Sequence, residues 1–430
     1  MTDFTIILRS LTSRLFSTVT TVVTVAVAVG LMLVLLSMRD SGRQAFERGS
    51  GNMHLLVSRD ASPTVAVLNA LFYANPPRNY FLWSEYERLA ASHPFDWAIP
   101  TQQGDSYGGL PVLASTPQFF TDFQPNDGEP WALSDGRFFD KPFEVVLGAE
   151  AAALTGLRVG DKVHLTHGIP QSRQLGDPNA PEPHVHRDFT YTVVGVLRPT
   201  GSAHDRALFT DLTSAWIIHA HDRRKQADPS VATTTEADLL PDDKKITGVY
   251  LRVATRPGQN ASASLLPVFD ALRRDPSITV AQPVQQIGAL FRIVSSVDRI
   301  FIAIAAVVMV SSGVGIMLAL YNSMEQRRRQ IAVLRVLGCS RGRIFNLVLT
   351  ESALIGLLGA ALGVVFCLVG VRLVASVVKE MLGLVIRPAL PPDLALYVVV
   401  GSIALAALAG VIPAVMAYRT SVANNLRPIG

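Results

Sequence analysis

Nine histidines occur in the 430 residues, and all of them lie between His54 and His221. Seven fall in one stretch: His164, His167, His184, His186, His204, His219 and His221. Neutral imidazole is the commonest metal ligand. The pairs His184-Val185-His186 and His219-Ala220-His221 each present two imidazoles on one side of an extended chain, because side chains alternate along a strand. Asp177, Asp188, Asp205 and Asp222 are near in sequence and offer carboxylates. This pattern predicts binding of zinc or another divalent transition metal. The alternative is a set of solvated loop histidines, and spacing alone does not choose between the two.

A second constellation lies in Met324–Gly363, MEQRRRQIAVLRVLGCSRGRIFNLVLTESALIGLLGAALG. Glu325–Leu337 reads as a short amphipathic helix, with Ile331, Leu334 and Leu337 as its apolar stripe and arginines around it. Gly338 is placed as a C-cap, and Ser340 as the N-cap of the next helix. The work suited to such a helix is mechanical: Glu325, Arg327, Arg328, Arg329, Leu334, Arg335 and Gly338 are candidates for docking a cytosolic motor. The arginines also serve as topology anchors. Gly356, Gly359 and Gly363 follow on a small-residue stripe that allows close helix approach. That approach serves either packing within one bundle or a subunit interface.

These residues need a membrane frame. Hydrophobic residues make up 49% of the chain and charged residues 17%. About 20 apolar residues span a bilayer core as a helix, and four segments qualify: 17–38, 300–321, 347–371 and 394–415. The first is too long for a signal-peptide core and is followed by no small-residue cleavage site, so it reads as a retained anchor. Residues 1–16 read as an interfacial amphipathic helix in the cytoplasm. Arg327, Arg328, Arg329, Arg335, Arg341 and Arg343 crowd the loop 322–346, which is therefore expected in the cytoplasm. Both termini follow it inside, including the tail 416–430, while 39–299 and the short segment 372–393 lie outside. The net charge of +4 is thus read as topology, and no nucleic-acid partner is expected. Cys339 and Cys367, the two cysteines, both fall in the membrane half, so the outer region has no disulfide.

The segment 39–299 reads as mixed α/β. Helices are expected at 84–92, 149–155 and 261–274. Strands are expected near 97–101, 144–147, 162–166, 189–196, 247–254 and 278–281. The stretches 168–183 and 223–245 read as exposed loops. From about Val284 a helical pattern runs into the second span without a break.

The Met324–Gly363 segment closely resembles the signature of the MacB/FtsX/LolC group of ABC transporter permeases, an E-R-R-R-E-I-x-x-L-R-x-L-G-A-S-like run before a glycine-rich span. Gln326 and Gln330 replace an arginine and a glutamate, and Cys339 stands where alanine is usual. The runs Gly156–Val163 and Tyr191–Leu197 and the tail Pro413…Arg419…Leu426-Arg427 extend the resemblance over nearly the whole chain. It implies a four-helix integral membrane permease with an inserted α/β extracytoplasmic domain containing a β-rich part, placed at about 107–240. It further implies a bacterial inner membrane location, a second permease copy forming a homodimer, and two ATPase subunits that carry ATP and Mg. Cargo of this group is a lipoprotein, a peptide or a small molecule. The alternatives are an FtsX-like, non-transporting regulator of a periplasmic enzyme, and a metal-linked permease or docking protein. No Gly-Lys dipeptide occurs, so these residues hold no P-loop. No catalytic residue is assigned, ATP hydrolysis is expected from a partner, and zinc is the candidate cofactor of the chain itself.

Overall fold

The computed structural model describes residues 3–168, 185–256, 262–382 and 390–419. In chain order the helices are α1 (Asp3–Thr12), α2 (Leu15–Glu47), α3 (Pro63–Phe72), α4 (Trp83–Ser92), α5 (Gln118–Thr121), α6 (Ala149–Thr155), α7 (Leu212–Ala227), α8 (Leu265–Leu272), α9 (Pro283–Val336), α10 (Arg341–Leu382), α11 (Pro392–Ala409) and α12 (Val411–Arg419). The strands are β1 (Leu55–Ser58), β2 (Phe81–Leu82), β3 (Phe95–Tyr107), β4 (Leu110–Ser115), β5 (Leu133–Gly136), β6 (Glu144–Leu147), β7 (Lys162–Val163), β8 (Thr166–His167), β9 (Tyr191–Leu197), β10 (Leu208–Asp211), β11 (Lys245–Ile246), β12 (Gly248–Val253) and β13 (Thr279–Ala281). The chain divides into two compact units, one of Met1–Gly42, Ile293–Val377 and Arg387–Gly430, the other of Arg43–Arg292 with Val378–Ile386.

The first unit is helical and contains four stretches long and apolar enough to cross a membrane: Leu15–Gly42, Arg299–Glu325, Arg341–Val377 and Pro392–Arg419. Its buried centre is built from Val25, Val29 and Leu33 of α2, Ile316 and Leu320 of α9, Ile355 and Cys367 of α10, and Ala406 of α11. Ile7 and Leu11 of α1 join that centre, so the N-terminal helix packs on the bundle by its apolar face. Three hydroxyls of α2 are satisfied within the helix, and that of Thr18 by the Leu11 carbonyl of α1 at 3.1 Å. Thr20, Thr21 and Thr24 donate to the carbonyls of Phe16, Ser17 and Thr20 at 2.8–2.9 Å, which removes the penalty of a bare hydroxyl in hydrocarbon.

The glycines of α10 mark close helix contacts. A Cβ on Gly359 would stand 2.5 Å from Val25, and one on Gly363 would stand 2.8 Å from Val29. Gly356 faces α11 instead, where a Cβ would meet Ala406 at 2.5 Å. The small-residue stripe therefore makes contacts inside the chain, against α2 on one side and α11 on the other.

The second unit is built on an eleven-stranded mixed sheet of order β13-β1-β12-β3-β4-β10-β6-β9-β5, with β7 beside β9 and β8 beside β3. The strands of 107–240, from β4 to β10, join the same sheet as β1, β12 and β13, so the expected β-rich part continues the flanking strands. The sheet is buried on both faces. Along β1, Leu56 enters one core while Leu55 and Val57 enter the other. Along β6, Val146 faces the first core while Val145 and Leu147 face away. The first core is aromatic, with Tyr73, Phe119, Phe120, Phe123, Trp131, Phe209 and Tyr250. Truncating a fully buried ring such as Phe119 to alanine is expected to destabilise by about 3–5 kcal/mol.

The opposite face is covered by α7. Asp211 caps it, its carboxylate accepting from the Thr213 amide at 2.9 Å. Leu212, Ala215 and Trp216 pack on one cluster and Ile218 on the next. This helix overturns two expectations. It extends through Ala227 into the stretch read as a loop, and it places His219-x-His221 on a helix. Two residues along a helix are about 200° apart, so the pair cannot present both imidazoles to one side.

Candidate functional site

The sheet-bearing unit brings together four histidine- or aspartate-bearing elements. β3 carries a bulge between Gln103 and Ser106, where its pairing with β4 slips by one residue. Bulges re-aim side chains and end pairing. Past this one, β3 also pairs with β8, and Asp105 stands directly opposite His167. The chain returns at Val185, which bridges to Thr166, and the His186 amide donates to the Leu165 carbonyl at 3.0 Å.

The resulting cluster is compact. Asp105 Oδ1 lies 3.3 Å from His167 Nδ1 and 3.9 Å from His186 Nε2. One ligand atom from each of Asp105, His167 and His186 lies within 4.8 Å of the others. His186 Nδ1 is 3.6 Å from Asp222 Oδ2. The His219 ring, reaching in from α7, is 5.4 Å from that of His167 between centroids. His219 and Asp105 together line a small cleft with Gln102, Gln103 and Thr210. Asp105 and His186 are buried, whereas His167 is exposed.

Burial alone would push the Asp105 carboxyl up. The His167 hydrogen bond and the charges of His219, His186 and His167 outweigh it and hold the carboxyl below its usual range. The hydrogen bond to Asp105 raises His167, against its partial burial. Burial lowers His219, against the attraction of Asp105.

The other histidines separate from this group. His204 is fully buried in the aromatic core, and both ring nitrogens are engaged, Nδ1 with Tyr73 at 2.7 Å and Nε2 with the Gly49 carbonyl at 3.1 Å. It has no lone pair to offer a metal. His221 turns to the far side of α7, with Nδ1 2.9 Å from Thr234 Oγ1 and Nε2 3.4 Å from Asp188. His164 is exposed and bonds the Phe189 carbonyl at 3.0 Å. Asp205 is committed to its own turn, accepting from Thr200 and Gly201 at 2.7–2.8 Å. His184 and Asp177 lie outside the described residues.

Asp105 was not among the sequence candidates. It sits 62 residues before His167, and only strand pairing joins them. It also lies within Gly104-Asp105-Ser106-Tyr107-Gly108, which fits the G-x-S-x-G pattern of a nucleophile elbow. The context does not. Ser106 is buried inside β3 and donates to the Gly168 carbonyl at 2.5 Å, whereas that motif requires an exposed serine on a strand-to-helix turn.

The helical unit holds the second candidate site. Glu325–Val336 forms the last turns of α9 rather than a separate helix, because no helix-ending residue intervenes before Gly338. Gly338 adopts φ +94°. Its amide bonds Arg335 O at 3.1 Å and the Cys339 amide bonds Leu334 O at 3.0 Å, a Schellman stop. Ser340 then caps α10, accepting from the Arg343 amide at 3.2 Å. Ile331 is buried, Leu334 and Arg335 are half-buried, and Val336 and Leu337 are 63% and 78% exposed. Arg328 pairs with Glu325, and Arg329 is exposed. Arg327 lies in the helix, but its side chain is outside the described set.

Beside this tip lies a cleft of about 620 Å³, lined by Ile7 and Ser10 of α1, Ile331, Leu334 and Leu337, and Ile344 and Glu351 of α10. Arg343 bonds Asp3 through Nε at 2.9 Å. Glu351 is buried, accepting from Ser10 Oγ at 2.5 Å and Arg14 Nη2 at 3.0 Å. The sequence reading passed over Glu351. Its signal was available: it is an acid just inside an apolar span, and such acids find partners.

Residues 18–284 match the MacB-like periplasmic core domain family, and residues 302–422 match the FtsX-like permease C-terminal family. The chain is 29% identical over 232 residues to an uncharacterized ABC transporter permease protein of Mycobacterium tuberculosis, covering 53% of this chain and 22% of that protein. It is 24% identical to the pyoverdine export ATP-binding/permease protein PvdT of Pseudomonas syringae pv. tomato, covering 70% of this chain and 40% of PvdT. The chain thus spans less than half the length of these relatives. Among solved structures, the extracellular domain of the noncanonic ABC-type transporter YknZ from Gram-positive bacteria aligns with 53% of this chain and 98% of its own, at 9% identity and a TM-score of 0.26.

Proposed function

The chain belongs to the MacB-like periplasmic core domain family and carries an FtsX-like permease C-terminal region, and from this premise we propose that it is the permease of an ATP-driven complex whose ATPase is a separate chain. In this reading the protein resides in the bacterial inner membrane with its sheet-bearing unit in the periplasm. The ATPase docks on the tip of α9 and the adjoining cleft, and the work done there moves the periplasmic unit to export or extract a lipoprotein, a peptide or a small molecule. A second copy of the permease and two ATPase chains complete the assembly.

The observation that carries this reading is the tip itself. Val336 and Leu337 are exposed where α9 ends, next to Arg328 and Arg329 and beside an open cleft. An apolar knob rimmed by charge is the usual form of a protein contact. α9 runs unbroken over 54 residues, Pro283–Val336. In this reading, displacement of its last turns is transmitted along that helix. These residues hold no P-loop, and in this reading a partner hydrolyses the ATP.

The test is co-purification from the native host. Wild-type protein should bring down an ABC-type ATPase identified by mass spectrometry, with ATP hydrolysis in the eluate. Leu337→Glu should reach the membrane in normal amounts and lose both. Normal ATPase recovery and hydrolysis with Leu337→Glu would remove the tip as the docking site.

A further inference from the structure

We propose that Asp105, His167 and His186 form a binding site for a divalent transition-metal ion in the sheet-bearing unit, with His219 at hand as the fourth ligand. The argument is geometric. Ligands about 2.0–2.1 Å from a tetrahedral ion stand about 3.3 Å from one another. Asp105 Oδ1 is already 3.3 Å from His167 Nδ1 and 3.9 Å from His186 Nε2. An ion placed among them needs only small side-chain adjustments, because the backbone has set the separations.

The scaffold fixes each ligand independently. The bulge in β3 aims Asp105, and the β3–β8 ladder sets His167 opposite it. The His186 backbone is held by Leu165. Asp222 stands 3.6 Å from His186 Nδ1, on the far side of the ring from Asp105. A carboxylate behind a ligating imidazole fixes its orientation and raises its basicity, the arrangement recurrent around bound metals. Two imidazoles and one carboxylate suit a borderline ion such as Zn²⁺ better than a hard one such as Ca²⁺ or Mg²⁺. Exposed His167 gives an entry path, which suits reversible loading. Of the seven histidines in the sequence cluster, this selects His167, His186 and His219 and leaves out His164, His204 and His221, while His184 lies outside the described residues.

The experiment uses the full-length chain in detergent, with any affinity tag removed and metal stripped by EDTA. Zn²⁺ is titrated by calorimetry, and Co²⁺ is added in parallel to read its ligand-field absorption. Wild type should bind one ion per chain and give the intense visible bands of a tetrahedral or five-coordinate site. His167→Ala, at an exposed position, and Asp105→Asn, of unchanged shape, should each weaken Zn²⁺ at least tenfold while melting like wild type in EDTA. His164→Ala should bind as wild type does. The proposal is overturned by absence of saturable binding to wild type. It is also overturned if His167→Ala and Asp105→Asn retain full affinity, or if His164→Ala weakens binding as much as they do, which would mark scattered surface imidazoles as the ligands.

Discussion

The phenol of Tyr73 lies 2.7 Å from Nδ1 of His204, inside the aromatic core. The Gly49 carbonyl at Nε2 can only accept, so Nε2 carries the ring proton and Nδ1 accepts from the phenol. Burial pushes the His204 pKa down to about 4. The folded state thus resists a proton that the unfolded chain accepts near 6.5, and stability falls as pH drops from about 6.5 towards 4. At pH 5 the loss is about 2 kcal/mol. His204→Gln keeps one donor and one acceptor but cannot titrate. Thermal melts at pH 7 and pH 5 should show a smaller acid-induced drop for the variant, and equal drops would refute the assignment.

Glu351 joins α10 to Ser10 of α1 and to Arg14 in the turn that follows it. The pair is largely buried, so removing one charge strands the other. Glu351→Gln should lower stability in detergent by about 1–3 kcal/mol. The Arg14→Gln/Glu351→Gln double variant should lose less than the sum of the single changes, as a double-mutant cycle measures. Strict additivity would mean that the contact contributes nothing.

Gly359 tests the crossing of α10 with α2. The Cβ of Gly359→Ala would overlap Val25 and stand 3.2 Å from the Val22 carbonyl, so the helices must part. Destabilisation of about 1–3 kcal/mol is expected. Adding Val25→Ala should restore part of it. Gly401→Ala, where nothing lies within 4 Å, should be neutral in the same assay.

Gly338→Ala places a Cβ at φ +94°, in a region L residues avoid at about 1–2 kcal/mol. The protein should still insert, while ATPase recovery in co-purification should fall. Recovery equal to wild type would uncouple the Schellman stop from docking.

The arginine asymmetry is checked by cysteine labelling. In a background with Cys339 and Cys367 replaced, Ala153→Cys and Gly342→Cys both present exposed thiols. An impermeant maleimide on sealed cells should modify the first and spare the second until the membrane is opened. Modification of the second in sealed cells would invert the topology.

The apolar spans were legible because lipid demands long uninterrupted runs, and the Gly338–Ser340 stop–start signal because caps are local. α4, α6 and β9 were readable for similar local reasons. α7 was hidden. Leu212, Ser214, Ala215, Trp216, Ile217, Ile218, Ala220 and His221 are all buried, so no polar face revealed its period, although Asp211 offered a cap. The Asp105–His167 contact was illegible because it depends on a bulge and a ladder between segments far apart in sequence.

Leu56 of β1 and Ala281 of β13 are direct partners across an antiparallel ladder, so their Cα atoms are about 5 Å apart. The chain between β1 and β13 therefore leaves and returns at almost one point. Everything from β2 to β12 is a single excursion that leaves and returns through that doorway. A body with such neighbouring ends is transplantable. An exchange must carry Met53 and Ile287 with the sheet, because both belong to the same buried core. Exchange of whole sheet-bearing bodies between related chains is thus open to evolution and to a designer.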